Sequence, residues 1–263
     1  MRYLFLIFVL LGLFAITSCD QEVNPSEEPI ELDCVGFSKS ELESVGTLHN
    51  QLVIEAYEKV DFLSCENCID EVITAFSEIE IDLTGIDLSK NVIIEEAVLL
   101  YQNLSEIHFD LRNWSDSLPF SPESYQYLII LMEEIDAMEN FYNFEVAMDY
   151  LQLVIEADNS LNCFDVELLT GTIEVAKNSA YLWTPVEHGG LNLYSIPHEG
   201  STQSRVSWNW RRAVKGDVSA SASYFLGMGI GLAAGLLTPG TNAGIIGMWA
   251  IGAGITSALA GLE

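Results

Sequence analysis

The sequence predicts an all-α protein, a helical bundle body followed by a C-terminal Gly/Ala-rich helical hairpin. Three observations predict it. Between about residues 40 and 183 the apolar side chains recur at helical spacing, as in Leu42, Val45, Leu48 and Leu52. No stretch alternates apolar and polar residues in the manner of a half-buried strand. From Val218 to Leu262 there are 45 residues without a charge, divided in the middle by the turn Thr238, Pro239, Gly240, Thr241, Asn242.

The chain opens with a short basic start, Met1 and Arg2, and an apolar run of 14 residues from Tyr3 to Ile16. A helix needs about 20 residues to cross a hydrocarbon core, so residues 1–18 read as an export signal instead of a permanent anchor. Ile16, Thr17, Ser18 and Cys19 resemble the lipobox of bacterial lipoproteins, with Ile16 where leucine is usual. The resemblance implies cleavage before Cys19, diacylglycerol on its sulfur and an acyl group on its amine. The protein is then expected in the cell envelope, at the outer membrane or cell surface, with membrane lipid as its first partner. Each buried methylene contributes about 0.8 kcal/mol, so several chains hold a protein almost permanently. Ordinary secretory cleavage, leaving Cys19 a thiol, is the competing expectation. Residues 19–36 follow as an acidic tether, too rich in Pro, Asp and Glu to bury a core.

Residues 37–183 form the predicted acidic bundle. Ser40 to Glu43 has the form of a capping box, and further helices are expected over 66–79, 90–112, 122–140, 144–157 and 166–183, with Pro122 suited to a first turn. Residues 20–199 hold 37 acidic residues against 5 basic, a net of −32, whereas residues 200–263 hold 2 against 4, a net of +2. Such a body repels phosphate backbones, which argues against nucleic acid and for a basic protein partner or divalent cations. Most of the acids fall opposite the apolar stripes, as solvated surface does. With Cys19 set aside, Cys34, Cys65, Cys68 and Cys163 remain, an even number that favours two disulfides in an oxidising compartment, with three pairings open.

Residues 184–204, with Pro185, Gly189, Gly190, Pro197 and Gly200, read as a linker loop. Residues 205–263 carry a collar, Trp208, Trp210, Arg211, Arg212 and Lys215, and then the charge-free hairpin. Each half of the hairpin has 20 residues, about 30 Å of helix, which is the thickness of a bilayer core. Ser219, Ser223, Gly227, Gly231 and Gly235 recur every four residues, and Gly247, Gly254 and Gly261 belong to a heptad-like seam. This region resembles the glycine-zipper membrane hairpins of bacteriocin type, which implies insertion in lipid and self-association. Tryptophan and arginine upstream suit the headgroup layer. The alternative expectation is that Trp208 and Trp210 pack on the bundle while the arginines pair with its carboxylates.

No catalytic residue emerges. Cys65 and Cys68 form a CxxC, but the surrounding acids oppose thiolate formation. His49, His108, His188 and His198 are scattered, with no metal-binding spacing and no nucleophile motif. The sequence therefore points to a non-enzymatic envelope lipoprotein that needs no cofactor or metal. In one version its hairpin enters or spans a membrane in the manner of a toxin; in the other it is a surface or periplasmic binding or scaffold lipoprotein with the hairpin packed on its own body.

Overall fold

The computed structural model describes residues 32, 34–61, 67–83, 89–113, 120–193, 209–233 and 242–262. Among them the chain is all-α, with eight α-helices and no strand. These are α1 (Lys39–Lys59), α2 (Cys68–Glu78), α3 (Lys90–Glu106), α4 (Pro122–Ala137), α5 (Phe141–Ala157), α6 (Cys163–Trp183), α7 (Trp210–Ala233) and α8 (Asn242–Leu262).

Local chemistry sets most of the boundaries. The capping box of α1 is Ser38 with Glu41, two residues before the expected Ser40 and Glu43. Ser38 satisfies the Glu41 amide and the Glu41 carboxylate answers the Ser38 amide, so two orphan donors are met at once. Ser89 caps α3, and Ser121 caps α4 with Pro122 in its first turn. α3 ends at Glu106, not near Arg112, because His108 and Phe109 both take φ 56°, and a short 3-10 turn follows at Leu111–Asn113. Asn140 and Asn162 start α5 and α6 three residues earlier than expected, each accepting from the amide three positions on.

The C-terminal hairpin lies at the centre of this assembly. Every residue from Gly244 to Gly261 is buried. Helix α8 packs against α1, α2, α3 and α7, while α7 also packs against α3, α4 and α6. The hairpin and the body share one apolar core, which includes Val53, Phe76, Ile93, Trp183, Phe225 and Trp249. Helix α8 alone among the described residues is long and apolar enough to cross a membrane, and 94% of its most apolar window is buried inside the protein. At the periphery, α5 touches only α4 and α6 among the principal helix contacts.

The end of the tether is fixed to this body. Cys34 is bonded to Cys163 at the start of α6, with the Cα atoms 5.3 Å apart. Beside it the Glu167 carboxylate accepts the backbone N–H groups of Val35, Gly36 and Phe37 at 2.7–2.9 Å. Gly36 takes φ +90°, a conformation that costs glycine little.

Candidate functional site

Among the described residues a fully buried polar cluster lies where α1, α6 and α7 meet. His49 sits on the inner stripe of α1 with Leu42, Val45, Leu52 and Ala56, and has no exposure. Its Nε2 lies 2.8 Å from Oδ1 of Asp217, which is also fully buried, in α7. The second Asp217 oxygen accepts the Ser179 hydroxyl and, at 3.3 Å, the Trp183 indole N–H. On the other side of the ring, Nδ1 lies 3.0 Å from Oδ1 of Asn50, whose amide nitrogen donates to the Asn178 carbonyl at 2.8 Å.

This pattern favours a charged ring. Asn50 presents its oxygen to the ring because its nitrogen is committed elsewhere, and Asp217 offers only acceptors. Both imidazole nitrogens thus face acceptor oxygens, an arrangement that stabilises the protonated ring. Burial pulls the His49 pKa down, but the charge and hydrogen bonds of Asp217, with that of Asn50, outweigh it and leave the pKa raised. The group has a serine, a histidine and an aspartate, yet it is not arranged for nucleophilic catalysis. Ser179 and His49 both address Asp217, so the histidine is not positioned as a base for the hydroxyl. All three side chains are closed to solvent. What the arrangement does is pin α7 to α1 and α6 by a hydrogen-bonded buried ion pair.

A second junction holds the collar. Lys215 reaches Asp136 at 2.6 Å and Asp110 at 3.3 Å. Arg112 bonds both of those carboxylates as well. Burial pushes the Asp110 pKa up, but the hydrogen bonds from Arg112 and the charge of Lys215 more than reverse this and bring it to about 2. Arg211 lies over the Trp210 ring at 4.2 Å and donates to the Met138 carbonyl at 2.7 Å. Arg212 lies over the Phe109 ring at 5.1 Å. The collar residues in view are thus occupied by the body. Trp208 lies outside the described residues.

The small-residue positions are distributed among several neighbours. The α7 and α8 backbones approach at Gly216, where an added Cβ would stand 2.9 Å from that of Ala260, and Gly252 takes the Tyr224 ring, at 2.1 Å from such a Cβ. The pairs run in opposite directions along the two helices, so the hairpin is antiparallel. Gly247 faces the backbone at Asp82, and Gly254 faces Val53 and Phe76. Nothing lies within 4 Å of a Cβ placed on Gly227. The Ser223 hydroxyl bonds back to the Ser219 carbonyl at 2.7 Å, and the Gly261 carbonyl accepts the Asn209 N–H at 3.3 Å. Gly231 lies in the last turns of α7, while Gly235 is outside the described residues.

Of the remaining predicted positions, Cys68 is disulfide-bonded. Cys19 and Cys65 lie outside the described residues. His188, in the 3-10 turn Val186–His188, lines an open depression with Glu139, Asn140, Glu187, Trp210 and Arg211. Among the described residues no three His, Cys, Asp or Glu side chains converge to hold a metal. Sequence reasoning passed over Asp217 and Glu167. His49 offered a signal, since it falls on the apolar stripe of α1, but nothing local names its partner 168 residues away. Comparison with known proteins finds no matching family model, no matching curated protein and no matching solved structure.

Proposed function

We propose that this chain is a non-enzymatic envelope lipoprotein, carried on the membrane by lipid on Cys19, whose acidic body is a binding or scaffold module built around its own C-terminal hairpin. The observation that carries this reading is the burial of α8, 94% of whose most apolar window is enclosed by protein. A second support is the buried His49–Asp217 pair, which ties α7 to the body. Opening the hairpin toward lipid would separate that pair and strip the Ser179 hydroxyl and the Trp183 indole of their acceptor. The tether geometry agrees, because Cys34–Cys163 and Glu167 hold the point where residues 19–36 meet the folded part. The net charge of −32 over residues 20–199 suits a basic protein partner.

The length and composition of Asn242–Leu262 favour the second reading, in which the hairpin leaves the body and enters a bilayer. Carbonate extraction of residues 20–263, exported behind an ordinary cleavable secretory signal, separates the two. The core reading expects this protein in the soluble fraction without detergent; retention in the carbonate-resistant pellet would transfer support to insertion.

A further inference from the structure

Helix α5 is apolar on two sides. Its inner side gives Phe141, Phe144, Met148, Leu151 and Ile155 to the core. On its outer side Tyr142, Val146, Tyr150 and Leu153 are all between 63% and 69% exposed. Their spacing of four, four and three residues places them on one stripe, about 16 Å long. A surface helix ordinarily turns charged residues outward. Each of these four side chains leaves most of its surface in solvent, so their alignment on one stripe calls for an explanation beyond folding.

The stripe is set within the surface instead of projecting loosely. Tyr142 lies against Gly189, where a Cβ would meet its ring at 2.7 Å, and Gly189 takes φ +89°. Val186, 65% exposed, continues the apolar surface onto the adjoining 3-10 turn. A large, held tyrosine such as Tyr142, with a second tyrosine and aliphatic residues beside it, is a composition in which binding energy concentrates.

The charge around the stripe selects the partner. Glu145, Asp149 and Glu156 run along one flank, and neither α4 nor α5 contains a Lys or Arg. Lys39 answers Glu156, while Lys177 is shared between Asp149 and Glu174, so the flank keeps a net negative charge. A second copy of this chain would bring two such flanks together, and an anionic membrane surface would be repelled in the same way. A basic amphipathic helix fits, with apolar residues on the stripe and lysines or arginines over Glu145 and Asp149.

We propose that the outer face of α5, centred on Val146 and Leu153, is a docking surface for a basic amphipathic helical segment of another protein. This rests on the reading of the body as a binding module. The test uses the full chain carrying Cys19→Ala and a fluorescent Leu/Lys amphipathic peptide of about five turns, read by anisotropy. Saturable binding is expected, weakened about tenfold or more by Val146→Ser with Leu153→Ser, which changes no charge. A peptide with Glu in place of Lys should not bind. Because both residues are exposed, the variant should keep the wild-type circular dichroism and melting temperature. The proposal is overturned by absence of saturable binding, by binding that the double substitution leaves unchanged, or by equal binding of the Glu peptide. It is also overturned if the substitution abolishes only self-association or only attachment to anionic vesicles. Chymotrypsin resistance of residues 210–262, which include Tyr224, Phe225 and Trp249 as cleavable positions, in the same sample separates the two readings. A protected hairpin with no binding removes the docking surface alone, whereas a cleaved hairpin removes the core reading beneath it.

Discussion

Replacing Asp217 by alanine should unfold this protein more readily at acidic than at alkaline pH. In the wild type, His49 has a folded pKa raised above its ordinary value of about 6.5. Its stabilising contribution is therefore complete below about 6.5 and is lost as the pH rises through the folded value. Asp217→Ala leaves the imidazole with no exposure and no counter-ion, and strips Ser179 and Trp183 of their acceptor. Removing one member of a buried pair costs about 3–5 kcal/mol, a large share of the roughly 5–15 kcal/mol that holds a domain together. The histidine can limit the loss by shedding its proton, so in the variant burial depresses its pKa and stability falls as the pH is lowered. Urea unfolding followed by tryptophan fluorescence and far-ultraviolet circular dichroism, at about pH 5.5 and about pH 8.5, reads both effects. The cost should be about 3–5 kcal/mol at the lower pH and distinctly smaller at the higher. His49→Leu with Asp217→Leu should recover most of it, since an apolar pair can replace a buried ionic one at little cost. A cost under about 1 kcal/mol, the same at both pH values, would refute the assignment of an imidazolium–carboxylate pair.

Four further outcomes are expected. Asp110→Asn should cost on the order of 2 kcal/mol near neutral pH, because a carboxylate lowered to about 2 contributes stability above its ordinary value of about 3.8 that is lost as pH falls through the folded value; a melt series down to acid pH checks this. Cys34→Ser with Cys163→Ser should lower stability by about 2–4 kcal/mol in denaturant titrations, as a bridge closing 129 residues constrains the unfolded chain strongly. Two glycine substitutions should separate in thermal melts. Gly227→Ala meets open space and should gain up to about 1 kcal/mol, whereas Gly252→Ala drives a Cβ into the Tyr224 ring and should lose about 1–3 kcal/mol. Metabolic labelling with palmitate should mark the wild-type chain and leave Cys19→Ala unlabelled.

The helices were readable because their signals are local. Ser89 before α3 and Ser121–Pro122 before α4 announce their own helix starts, and the apolar stripe of α1 predicts which face is buried. The end of α3 was not readable, since left-handed His108 and Phe109 are held by tertiary packing, with Phe109 stacked on Tyr101 and fully buried. The destination of the hairpin was ambiguous for a deeper reason. Lipid tails and a protein interior are both apolar, and both allow a glycine-rich helix whose backbone satisfies itself. Only the surrounding helices decide between them, and they are brought in from far along the chain, as when Asn242 donates to Glu41, 201 positions away. The outer stripe of α5 was hidden because apolar residues on both sides of that helix blur its period, so Tyr142 and Phe144 look alike in sequence.

Hydrogen exchange measured residue by residue on the Cys19→Ala protein in detergent-free buffer tests the central claim, that the hairpin is the core of its own body. Amides from Trp210 to Ala233 and from Asn242 to Leu262 should be among the slowest in the chain, exchanging only with global unfolding. If they exchange rapidly while α4 and α5 stay protected, the hairpin is not part of the fold, and both the buried ion pair and the scaffold reading fail with it.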